Sequence, residues 1–119
     1  MSTLEEQRQK LADLAEHKAT RTNAFSRELP CDWNPYAIEN PITGIPFTDE
    51  SAWSLIAKLL RSDHKVNVVE LKKPPGLEAL ELLYDVGPSV SFVYIKVHMG
   101  AKGKVIGRSF HYSTKGRER

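Results

Sequence analysis

The sequence predicts an α+β domain: an N-terminal helix, a wrapped loop, and a second helix packed on an antiparallel sheet of about four strands. Three observations carry this. Trp53, Ile56, Leu59 and Leu60 recur at helical spacing behind Thr48-Asp49-Glu50. Val93, Ile95, Val97 and Met99 alternate with Phe92, Tyr94, Lys96 and His98, as a half-buried strand requires. A second alternating stretch, Lys104 to Ser113, follows the turn Gly100-Ala101-Lys102-Gly103, so the two stretches form a hairpin.

The 119 residues suit one domain, 1–119. Residues 1–22 are expected to form the first helix. Ser2 or Thr3 can cap it, Ser2 with Glu5 having capping-box spacing. Leu4, Leu11, Leu14 and Ala15 give it a thin apolar stripe, which packs lightly or serves a partner as a handle. Lys18 and Arg21 stand at its expected end, as the helix dipole prefers. Residues 23–47 are irregular, broken by Pro30, Pro35, Pro41, Gly44 and Pro46. They also hold Trp33, Tyr36, Ile38, Ile42 and Ile45, too apolar for a free linker. This stretch is expected to wrap onto the core, with Trp33 and Tyr36 at least half buried.

Residues 48–113 supply the helix and the sheet. Thr48 caps the helix and Asp49 and Glu50 fill its first turn. Val66–Leu71 reads as a strand. Leu77–Tyr84 has helical composition, but its place between two turns and the need to cover a hairpin edge favour a strand. Residues 114–119 form a basic tail. In the hairpin, a four-residue turn pairs Met99 with Lys104 and Tyr94 with Ser109. That register sets Ile106 and Phe110 on the apolar face with Val93, Ile95 and Val97. Tyr94, Lys96, His98, Ser109 and His111 share the other face. Such a face suits phosphate chemistry, and equally a solvated surface.

The net charge of +2 permits an anionic partner without demanding one. The distribution is more telling: after Asp85, Glu118 is the one acid, against seven Lys and Arg residues. Cys31 is the single cysteine, so no intramolecular disulfide can form. With an acidic, polar N-terminus and no long apolar run, the expectation is a cytoplasmic protein without membrane association.

No metal or other cofactor is expected. Cys31, His64, His98 and His111 have no paired ligand spacing, and the predicted register separates His98 from His111 by roughly 20 Å. The turn Gly100–Gly103 is too short for a phosphate loop and precedes a strand. What remains is the Arg108–Ser113 strand facing Tyr94 and Lys96. Those residue types suit metal-free RNA cleavage, in which the RNA's own 2′-hydroxyl attacks. The reaction needs a base, an acid and cations around the phosphorane. His111 can exchange protons, Lys96 and Arg108 can clamp phosphate, and Ser109 can orient oxygens. Tyr94, His98, Lys104 and Tyr112 are the candidate substrate contacts. Strict alternation, however, sends Arg108 and Tyr112 to the apolar face. Either a bulge near Gly107 re-aims the strand, or Arg108 is structural.

The helix, the sheet, the strand Val93-Tyr94-Ile95-Lys96-Val97 and the strand Val105-Ile106-Gly107-Arg108-Ser109-Phe110-His111-Tyr112 resemble a known family over about residues 48–113. It is the small toxin ribonucleases of bacterial toxin–antitoxin pairs, the MqsR-like and RelE-like interferases of the barnase/colicin-like fold. The N-terminal helix and Pro-rich loop are not part of that pattern. The resemblance implies a metal-independent endoribonuclease held in check by a protein partner, with Lys96, Arg108, Ser109 and His111 at its centre. Two other classes stay open. One is a non-catalytic accessory protein of a phage or mobile element that docks on a host protein. The other is an RNA- or DNA-binding module using Phe92, Tyr94 and Lys96 as a platform.

Overall fold

Two threonines begin the two helices, each by a reciprocal pair of hydrogen bonds. Thr3 caps α1 (Leu4–Ala15) with Glu6, and Thr48 caps α2 (Asp49–Arg61) with Ser51. The computed structural model describes residues 3–23, 27, 31–72, 75–86, 92–100 and 103–113. Ser2, Pro30, Gly87-Pro88, the strand start at Ser89–Ser91, Ala101-Lys102 and the tail 114–119 lie outside the described residues.

The first helix is shorter than the expected 1–22. It ends at Ala15, a single turn spans Lys18–Thr20, and β1 (Arg21–Thr22) follows. Side chains from beyond the helix satisfy its end: Thr20 Oγ1 donates to the Leu14 carbonyl at 2.7 Å and Arg21 Nη1 to that of Ala15 at 2.9 Å. The chain then turns back to the sheet. The stripe on α1 faces α2 and includes a buried Arg8. Arg8 donates to the carbonyls of Leu59, Leu60 and Ser62 at 2.6–3.0 Å, putting a cation on the C-terminal end of α2. Arg61 answers from α2 with exposed ion pairs to Asp13 and Glu16.

Beyond the helices come β2 (Asp32–Trp33), β3 (Asn67–Glu70), β4 (Glu78–Tyr84), β5 (Val93–Met99) and β6 (Val105–Tyr112), with β2 preceding α2 in the chain. Strands β3 to β6 form an antiparallel meander, and residues 78–84 are a strand. The expected four-stranded antiparallel sheet is therefore incomplete. The short strands β1 and β2 add in parallel to the outer edge of β6, making a mixed sheet. Two-residue strands are too short to leave an alternation pattern in the sequence.

The helices cover one face of this sheet. Ala52, Trp53, Ile56 and Leu60 pack with Leu80, Leu82, Val93, Ile95, Val97, Val105 and Phe110 in one core. The hairpin register differs from the expectation. Val97 pairs with Gly107, but its neighbour Lys96 pairs with Ser109. Arg108 is an extra residue on β6, a β-bulge that reverses the alternation. Val105 and Phe110, five residues apart, thus both face the core. Ile106 sits opposite His98 on the other face and is not part of the core cluster.

The loop before α2 is only partly wrapped. Pro35, Ile38 and Phe47 are buried, and Trp33 stacks on Trp53 and Phe110 with ring centres 5.0 and 5.5 Å away. Tyr36, expected to be half buried, is 61% exposed, because the turn Pro35–Ala37 sends Pro35 inward and Tyr36 outward. Ile42 and Ile45 are exposed as well, between the bridged residues Glu39 and Pro46.

Trp33 lies over Gly107. A Cβ there would meet the indole at 2.4 Å, and the ring is held between Trp53 and Phe110. Gly107→Ala is expected to destabilise the protein by about 1–3 kcal/mol through overpacking. Ile95→Ala, by leaving a cavity, is expected to cost about 2–5 kcal/mol. Urea unfolding midpoints check both; an unchanged midpoint for Gly107→Ala would contradict the Trp33 packing.

Candidate active site on the open sheet face

Among the described residues the second face of the sheet carries no helix, and its polar residues fall in two rows. Strand pairing sets Tyr94 opposite His111 and Lys96 opposite Ser109. These four side chains share one face and form a two-by-two block. The expected register had set Ser109 opposite Tyr94; the bulge moves each partner along but keeps the four together. On the far side of β5, Glu81 pairs with Lys96. On the far side of β6, Asp32 pairs with Ser109. The block is thus flanked by a carboxylate on each side, neither of which the sequence reading had singled out.

The contacts tie the block together. Tyr94 donates its hydroxyl proton to Glu81 Oε2 at 2.6 Å, and its ring centre is 5.5 Å from that of His111. His111 Nδ1 bonds the Tyr112 carbonyl at 2.8 Å, which fixes the proton on Nδ1. Its Nε2 then faces Asp32 Oδ2 at 3.4 Å. Asp32, Lys96, Ser109, Arg108 and Cys31 line an open cleft of about 280 Å³.

Arg108 is 6% exposed, and one guanidinium nitrogen, Nη1, lies 3.2 Å from His98 Nε2. Of the two readings of Arg108, the bulge is what the strand shows, and it brings the residue to the cleft. His98 lies beneath the surface at 1% exposure, which removes it from direct substrate contact. Lys104 sits at the hairpin turn, where its carbonyl accepts from Gly100 N, away from the block. Tyr112 pairs with Val93 and so lies on the opposite side from His111. The rows of His98 and His111 are four residues apart on β5, about 13 Å rather than the expected 20 Å, because of the changed register. Among the described residues no three His, Cys, Asp or Glu side chains cluster as ligands of one metal ion.

Burial shapes the electrostatics. It lowers the Lys96 ammonium from its ordinary value, and the Arg108 charge lowers it further while Glu81 opposes. It raises the Cys31 thiol, against a smaller opposing effect of Arg108. Burial and then the Glu81 carboxylate push the Tyr94 hydroxyl well above the ordinary tyrosine range.

No family model, curated protein or solved structure matches the chain. Among the described residues no helix is long and apolar enough to cross a membrane.

The Tyr94–Glu81 pair yields a test. Glu81→Gln removes the charge and is expected to lower the Tyr94 ionisation toward the ordinary value, read as phenolate absorbance appearing at lower pH. A hydroxyl that ionises later in the folded than in the unfolded chain stabilises below the unfolded value, about pH 10. That contribution is lost as pH rises above it, so the alkaline loss of stability is expected to be smaller in Glu81→Gln, whose Tyr94 ionises closer to the unfolded value.

Proposed function

We propose that the chain is an endoribonuclease that cleaves RNA through attack of the RNA's own 2′-hydroxyl, on the open face of the sheet. The observation that supports it is the block of Tyr94, Lys96, Ser109 and His111 with Arg108 beside it and a carboxylate on either flank. In this reading Lys96 and Arg108 hold the phosphate and stabilise the charge that grows on it. His111 is here doubly protonated, its Nδ1–H held by the Tyr112 carbonyl and its Nε2–H turned toward Asp32, and it gives the Nε2 proton to the departing 5′-oxygen. Glu81, joined to Tyr94, takes the proton of the attacking 2′-hydroxyl. Ser109 orients a phosphate oxygen. The proton removed on one side is replaced on the other, so the protein needs no nucleophile of its own. The resemblance to toxin ribonucleases agrees with this reading and adds a protein partner, antitoxin-like, that would cover the same face. The setting proposed with it is the cytoplasm, as the single cysteine and the polar N-terminus suggest.

A second reading, a non-catalytic accessory protein that docks on a host protein, draws support from a different place. Tyr36, Ile42 and Ile45 stand 61%, 71% and 61% exposed. Large apolar groups in solvent at that level are a recurrent mark of contact surfaces.

Expression of the chain in bacteria is expected to arrest growth, and His111→Ala to relieve the arrest. In vitro, cleavage is expected to persist in EDTA. A single 2′-deoxy substitution at the cut site is expected to abolish cleavage and spare binding. His111→Ala and Lys96→Ala are each expected to lower the cleavage rate by about 10²–10⁴-fold. RNA left intact by the purified protein, with EDTA or with magnesium, would overturn the enzyme reading and favour the docking one.

A further inference from the structure

Arg108 is the extra residue of the bulge, outside the regular β5–β6 register. Its exposure is low, 6%, yet it lines the cleft with Lys96, Ser109, Asp32 and Cys31. One contact that bears on its direction is buried beneath the face. A guanidinium has only donors, so the 3.2 Å contact of Arg108 Nη1 with His98 Nε2 makes that nitrogen the acceptor. The ring proton is therefore on Nδ1, which lies 3.1 Å from the Met99 carbonyl and donates to it. His98 thus bridges the main chain of β5 and the cation of β6. Its imidazole is held below its ordinary value, first by burial and then by the Arg108 and Lys96 charges, while the Met99 carbonyl opposes. Glu6, Lys10 and Glu78 line a cavity that His98 also borders.

We propose that His98 is a positioning residue: by accepting from Arg108 through Nε2, it holds the bulged guanidinium at the cleft and so completes a phosphodiester-binding subsite with Lys96 and Ser109. The inference rests on the reading of this face as the RNA site, and deepens it by one residue that touches no substrate. A neutral histidine is suited to this task. It offers one acceptor, adds no charge beside two cations, and fills the space between strands. Leucine would fill that space without the acceptor; glutamine would restore an acceptor near Nε2.

The experiment measures binding rather than cleavage, using the full chain and a short all-deoxy oligonucleotide, which carries phosphodiesters and cannot react. His98→Leu is expected to weaken binding about tenfold, the loss expected for a hydrogen bond to a charged group. His98→Gln is expected to restore most of it. On an Arg108→Ala background, His98→Leu is expected to change nothing further. Equal loss on both backgrounds, or wild-type binding by His98→Leu, would overturn the proposal, as would failure of the wild-type protein to bind the oligonucleotide. The outcome separates from that of the enzyme reading: coupled binding without RNA cleavage keeps this inference and removes the nuclease, and cleavage without coupling does the reverse. Should His98→Leu fail to fold, imidazole nitrogen NMR of the wild-type chain decides. The Nδ1–H tautomer, with an Nε2 resonance that moves on adding the oligonucleotide, supports the proposal; an Nε2 resonance that does not move overturns it.

Discussion

Between Gly107 and Ser109 the last strand holds one residue more than the strand beside it, and both faces of the sheet depend on that residue. Without it, β6 would alternate strictly. Ile106, Arg108 and Phe110 would share one face, and a guanidinium would enter the core or strip it of packing. With it, Val105 and Phe110 turn to the helix side while Ser109 and His111 turn to the second face, and Arg108 is released to the cleft. Gly107 makes the irregularity possible. Its missing side chain leaves room for the Trp33 ring, which joins the loop before α2 to the core through Trp53 and Phe110. One kink therefore sets the hydrophobic layer, anchors the loop and arranges the polar block.

The same loop serves both layers through two neighbouring residues. In β2, Trp33 pairs with Phe110 and goes to the core, while Asp32 pairs with Ser109 and goes to the open face. The strand is only two residues long, yet it seats the carboxylate that faces His111. Packing and chemistry are thereby coupled: loosening Trp33 would also loosen Asp32. On the other side, Glu81 is carried by β4 through the ladder opposite Lys96. The block is held by regular pairing on one flank and by a short edge strand on the other.

Much of this was legible in the sequence, for reasons that differ by element. The helix at 49–61 declared itself by Trp53, Ile56 and Leu60 and by the cap at Thr48. The core face of β5 declared itself by the alternation of Val93, Ile95 and Val97. Lys96, Ser109 and His111 were found on one face because that face was assigned by pattern. The register of β6 was not legible, since a bulge leaves no periodic trace; Gly107 was the single hint, and Ile106 was placed on the wrong face as a result. Asp32 and Glu81 were missed because their roles arise from pairing between distant segments. The burial of His98 was hidden because alternation assigns a face but does not tell how deep a side chain lies.

In the proposed reaction this face uses the 2′-hydroxyl of RNA as the nucleophile, and the protein only moves protons and holds charge. Mass spectrometry of the fragments from a defined RNA tests it most directly. Attack by the 2′-hydroxyl leaves a 2′,3′-cyclic phosphate on one fragment and a 5′-hydroxyl on the other, and that is the predicted result. Fragments carrying a 5′-phosphate and a 3′-hydroxyl would mean that water had attacked instead, and would contradict the account.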